Sequence, residues 1–247
     1  MSAAPTIAAM ADLPAAAQEV LGELLRSLQE AIGADLKCVL LFGSAAEGRL
    51  RPTSDINLLV LANRLNETQL NALRAPLKEG RAAAGLAAMF LETEEFSDAC
   101  ESFAVKFGDM KVRHRLLYGE DPFTTAEIPR DAAVRRLRQV LLNLKLRLRE
   151  RYALEGDRND RLALALADMT GPIRVAAATL LALRDGRDLA PKSALQEFCA
   201  EPRWAACLGG LSAVHGGEVL SAADTRALVA DVLELLAALG IAVAALS

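Results

Sequence analysis

The sequence predicts an α+β protein, with a mixed-sheet domain over residues 1–125 followed by an all-α helical bundle over 126–247. Two observations carry this expectation. Short apolar runs bounded by glycine and polar turns occur in the first half, whereas beyond the stretch YGEDPFTTAEIPR, residues 118–130, apolar residues recur only at helical spacing. Charge changes at the same place: residues 1–128 hold 12 basic and 18 acidic residues, and residues 129–247 hold 16 and 14.

Along the first half, Val20, Leu21, Leu24, Leu25, Leu28 and Ile32 fall at helical spacing and predict an amphipathic helix over 15–33, closed by Gly33. KCVLLF, residues 37–42, reads as a buried strand running into Gly43. Asp55 to Leu61 reads as a second strand, and a helix over 66–84 follows, with Asn66 as its N-cap. A third strand is expected over 85–91. Phe103, Val105 and Phe107 alternate and predict a fourth, with Asp109 next in phase. A sheet of four or five strands results.

In the second half, helices are expected over 131–153, over 159–184 with a kink at Gly171-Pro172, over 191–201 and over 221–246. Val134, Leu137, Leu141, Leu144 and Leu148 form the apolar stripe of the first of these, with Arg138, Lys145 and Arg149 on its exposed face. The last, rich in Leu and Ala, reads as core, with a homodimer contact left open.

At 247 residues and 53% hydrophobic content the chain can bury a sizeable core. A net charge of −4 provides no global basic field, which disfavours a nucleic-acid partner. Cys38, Cys100, Cys199 and Cys207 are scattered without CxxC spacing, so neither a disulfide framework nor a zinc site is expected. The N-terminal stretch has no positive region before its small apolar residues, and the longest uncharged apolar run, Leu235 to Leu246, is 12 residues, against roughly 20 for a membrane helix. A cytoplasmic protein with no membrane partner is the expectation.

The chemistry concentrates in GSAAEGRLRPTSDIN, residues 43–57. Gly43-Ser44 ends one strand, ten residues intervene, and Asp55 opens the next. Gly43, Ser44, Ala46, Gly48, Ser54 and Asp55, with the LLV after Asn57, resemble the DNA polymerase beta-like nucleotidyltransferase superfamily, in its smaller bacterial members. The resemblance covers roughly residues 36–120. It implies that Gly43 and Ser44 hold the phosphates of a nucleoside triphosphate such as ATP. It further implies that Asp55 and position 57 ligate Mg²⁺, and that a third carboxylate assists transfer of a nucleoside monophosphate to a hydroxyl of a small molecule or a protein. The physical logic agrees: glycine admits close backbone approach to phosphate, and residues two apart on a strand share a face.

Three positions depart from the family pattern. Asn57 replaces the second aspartate and brings an amide oxygen without negative charge. Glu47 stands where active members commonly carry arginine. The third carboxylate is either Glu92, at the end of the third strand, or Asp109, or is missing. An impaired enzyme therefore competes with a catalytically inactive nucleotide-binding or partner-binding module.

KVRHR, residues 111–115, would place Lys111, Arg113 and Arg115 on one face if extended, where they could meet phosphates, or would form a solvated basic edge. His114 reads as a surface or packed residue and His215 as a loop residue.

Overall fold

A computed structural model of the chain describes residues 7–48 and 55–246. Its backbone contacts divide it into two units, Met1–Glu101 with Asp109–Glu127, and Ser102–Gly108 with Ile128–Ser247.

In the first unit a short turn of 3-10 helix, Ile7–Met10, leads to α1 (Ala15–Ile32), whose buried stripe is Leu21, Leu24, Leu25, Leu28 and Ile32, as its spacing predicts. Gly33, at φ +62°, turns the chain into β1 (Leu36–Phe42). β2 (Ile56–Ala62) runs antiparallel to β1. The helix expected over 66–84 is divided into α2 (Glu67–Ala72) and α3 (Arg74–Ala84). Asn66 caps the first in a capping box with Gln69, an arrangement that contributes about 1 kcal/mol. Pro76, which has no N–H to offer the carbonyl of Ala72, accounts for the break.

β3 (Leu86–Glu92) runs parallel to β2, and β4 (His114–Gly119) runs antiparallel to β1, giving a mixed four-stranded sheet in the order β3-β2-β1-β4. Val39, Leu41, Ile56, Leu58, Val60, Leu86 and Leu117 belong to one core with the buried stripe of α1. Cys38, Leu40, Phe42, Asn57, Leu59 and Leu61 alternate with them and take the opposite face.

Between β3 and β4 the expected strand through Phe103, Val105 and Phe107 is instead helical. α4 (Phe96–Ser102) and α5 (Ala104–Val112) occupy this stretch. Buried Cys100, Ala104 and Phe107 fall four and three residues apart, the helical interval, while Phe103 is 43% exposed and stacks on Phe107 one turn later with ring centroids 6.4 Å apart. The alternation of three large side chains was too short a pattern to define a strand.

The second unit contains α6 (Arg130–Glu155), α7 (Asn159–Asp185), α8 (Pro191–Phe198), α9 (Ala205–His215) and α10 (Ala222–Ala244). Leu137, Leu141, Leu144 and Leu148 of α6 meet Ile173, Leu180 and Leu181 of α7 and Val232, Leu235, Leu236 and Leu239 of α10 in one core. Pro172 lies inside α7 without ending it. α7 and α10 are each long and apolar enough to cross a bilayer by length and composition alone, and both supply this core.

α9 has no counterpart among the expected helices, and His215 is its last residue rather than a loop residue. Gly209-Gly210 lowers its helix propensity and hides it from a pattern reading. Packing explains the second glycine: a Cβ at Gly210 would stand 2.8 Å from Leu228 Cδ1 of α10.

Candidate functional site

β1 delivers the chain into Gly43 at φ +76°, a left-handed conformation that favours glycine, and Gly43–Ala45 forms one turn of 3-10 helix. The carbonyl of Gly43 accepts from the N–H groups of Ala46 and Glu47 at 3.0 and 3.3 Å, and the carbonyl of Ala45 accepts from Gly48 at 3.2 Å. Ala45 is buried beneath the turn, whereas Ser44 and Glu47 are half-buried. Ser54 lies outside the described residues.

Register fixes what surrounds this turn. Phe42 pairs with His114 on one side and with Asn57 on the other, and Asn57 pairs in turn with Ala87 of β3, so His114, Phe42, Asn57 and Ala87 form one row across the sheet beside Gly43. Asp55 is exposed and stands just before β2, two residues from Asn57, so the two belong to one strand phase. Asn57 Nδ2 donates to the backbone carbonyl of Asp55 at 3.3 Å, and a Cβ built on Gly43 would lie 3.6 Å from the same nitrogen. The Asn57 amide therefore sits directly over the glycine turn.

Of the other candidate residues, Glu92 is not gathered here. Glu92 pairs with Ala62 at the far end of β2, five residues from Ala87, or about 17 Å at strand rise. It also falls in phase with Leu86, Ala88 and Phe90, on the face opposite Asn57. Its carboxylate accepts from Leu65 N–H at 2.8 Å, a structural cap. Asp109 lies on α5, not on a strand, and accepts from Arg113 Nε at 2.9 Å. Lys111, near the end of the same helix, donates from Nζ to the carbonyl of Ala126 at 2.6 Å. The extended face imagined for Lys111, Arg113 and Arg115 does not form, because only Arg115 lies in β4.

The sequence reading missed Arg115 as a site element. Its Nε donates to the carbonyl of Ala46, its Nη1 to the carbonyl of Ala9 at 3.1 Å, and Nη1 and Nη2 grip Asp12, with Nη2 to Oδ2 at 2.8 Å. This pairing holds the Asp12 carboxyl below its ordinary range and raises Arg115. No local pattern announces it, since the partners are more than a hundred residues apart. His114 is a packed histidine: its Nδ1 lies 2.7 Å from the carbonyl of Met110, its Nε2 lies 3.1 Å from Asp121 Oδ2, and its ring rests against Phe123.

A magnesium centre of the kind the family pattern implies needs converging carboxylates. Along the strand row beside the turn, Asp55 brings a carboxylate and Asn57 an amide, while Ala87 brings no donor. Among the described residues, no three His, Cys, Asp or Glu side chains are placed to hold a metal ion. These residues do not fit a two-cation centre.

No family model matches the chain, and no match is found among curated proteins. Among solved structures, it is similar to the spectinomycin adenyltransferase AAD(9) from Enterococcus faecialis, determined with ATP and spectinomycin, at TM-score 0.63 over 90% of this chain and 98% of that one. The fold is that of a nucleotidyltransferase. Sequence identity is 13%, so this fold is shared across a wide divergence. Within it, the turn at Gly43 and the row through Asn57 occupy one end of the central strand pair.

Proposed function

We propose that the chain binds a nucleoside triphosphate at the Gly43-Ser44 turn and transfers its nucleotidyl group feebly or not at all. The observation that carries this reading is the row through Asn57 and Ala87, which sets an amide and an alanine, where carboxylates could bridge a cation, beside the glycine turn. The first N–H groups of such a turn, at Ser44 and Ala45, with the Ser44 hydroxyl, would supply the hydrogen bonds that triphosphate oxygens accept. The Asn57 amide adds a neutral polar group above the turn. Asp55 by itself gives a cation carried on the triphosphate little to hold, so the nucleotide binds through its phosphates with nearly the same affinity with or without Mg²⁺.

The likeness to an adenyltransferase solved with ATP supports ATP as the first nucleotide to test. That protein was solved with spectinomycin too, which supports a small hydroxylated molecule as the acceptor class for any residual transfer. Thermal-shift titration with each nucleoside triphosphate tests the reading, because stabilisation grows as RT ln(1 + [L]/Kd) and reaches about 2.7 kcal/mol at a hundred times Kd. Stabilisation by ATP at millimolar concentration is expected. Indifference to every nucleotide would refute it.

A further inference from the structure

Arg115 joins three stretches of chain that are remote in sequence. Four of its five N–H donors are committed, to Ala46, to Ala9 and twice to Asp12, so the guanidinium is built into the fold. Ala46 is two residues beyond Ser44, and the Glu47 N–H in the same peptide as the Ala46 carbonyl bonds the carbonyl of Gly43 at 3.3 Å, so Arg115 is one hydrogen-bonded peptide away from the glycine turn. Gly48 completes the arrangement: it sits at φ +68°, and a Cβ there would stand 2.9 Å from Asp12 Oδ2. The missing side chain leaves room for the carboxylate.

We infer that Arg115, held by Asp12, is a positioning residue that fixes the Gly43–Gly48 turn for nucleotide phosphate, making the segment Ala9–Asp12 part of the nucleotide site. The inference rests on the nucleotide-binding reading of Gly43-Ser44. A turn that offers backbone N–H groups to an anion binds well only when those groups converge before the ligand arrives, because ordering them on binding subtracts from affinity. A guanidinium paired two-pronged with a carboxylate is held in a fixed geometry, and through the Ala46 carbonyl it passes that geometry to the turn without meeting the ligand.

The test combines two readouts on the full chain: amide hydrogen exchange without ligand, and ATP affinity by calorimetry. In Arg115→Met, exchange at residues 44–48 should accelerate at least about tenfold while Leu40 and Leu59 keep their rates, and the ATP Kd should rise about tenfold. Arg115→Lys should recover only part of both, since an ammonium cannot serve the carboxylate and two carbonyls in that geometry. Asp12→Asn, an isosteric change at an exposed side chain, should move both readouts in the same direction by less, and decides the matter if Arg115→Met does not fold. Unchanged exchange at 44–48 in a folded variant overturns the inference, as does faster exchange with unchanged ATP affinity. If the wild type binds no nucleotide, the functional reading fails and the role in nucleotide positioning falls with it, while the exchange data still decide whether Arg115 holds the turn.

Discussion

Asn57 and Ala87 are paired neighbours on the parallel β2–β3 ladder, and a Cβ at Gly43 would stand 3.6 Å from the Asn57 amide nitrogen. Adjacent strands stand about 4.8 Å apart, the separation at which two carboxylates can share a divalent cation. An amide and a methyl group occupy those places. Neither side chain of this pair supplies a carboxylate.

Glu92 serves the fold. Removing its charge in Glu92→Gln should cost about 1 kcal/mol through the weakened bond from Leu65 N–H and leave ATP affinity unchanged. Chemical denaturation and calorimetry check the two halves, and a loss of nucleotide affinity would return Glu92 to the site.

Glycine substitutions should rank by geometry. Gly43→Ala forces a side chain into φ +76° with only ordinary contact to Asn57 and should cost about 1–2 kcal/mol. Gly119→Ala combines φ +80° with a Cβ 1.8 Å from the backbone carbonyl oxygen of Lys37, so the strand pairing itself must yield. A loss above about 3 kcal/mol, or failure to fold, is expected there. Equal melting temperatures for the two variants would contradict the ranking.

The four cysteines are buried and free. Burial pushes Cys38 and Cys207 up to about 12 and Cys199 up to about 11, and raises Cys100. The thiolate is the reactive form, so a disulfide reagent at pH 8 should modify the native protein slowly and all four thiols promptly in denaturant. Rapid labelling of any one in the native state would show that its surroundings open.

Acid should loosen the Gly43–Gly48 turn. The Asp12 carboxyl is depressed chiefly by its hydrogen bonds from Arg115, so the pair contributes fully above the ordinary Asp value of about 3.9 and is lost as pH falls through the lower folded value. The backbone amide resonance of Gly48 should report this titration, with a midpoint below about 3.9 in the wild type that returns to about 3.9 in Arg115→Met. A wild-type midpoint at or above the ordinary value would remove the pairing from the account.

Much of the fold is legible in local sequence signals. The leucine stripe of α1, the glycine stops at Gly33 and Gly43, the Asn66 cap and the Gly-Ser to Asp spacing are local signals, set by intervals of three, four or two residues. What sequence could not supply was register and partnership. Whether Glu92 faces Asn57 depends on how β3 aligns with β2, and Ala87 gains meaning only from that alignment. The helical stretch on either side of Phe103 escapes a pattern reading because Phe103, Val105 and Phe107 satisfy a strand alternation, while the burial of Cys100 and Ala104, which reveals the helical interval, shows only in the fold. Arg115 and Asp12 were invisible for the same reason, as neither is remarkable until β4 brings them together.

The account turns on how the protein treats a nucleotide's cation, which calorimetric titration of ATP with and without Mg²⁺ measures directly in the wild type and in the double variant Asn57→Asp, Ala87→Glu. The wild type should bind ATP with an affinity that changes less than about threefold on adding Mg²⁺, while the double variant, with three carboxylates converging, should gain at least about tenfold from the metal. Strong Mg²⁺ enhancement in the wild type, or ATP binding by neither protein, would contradict it.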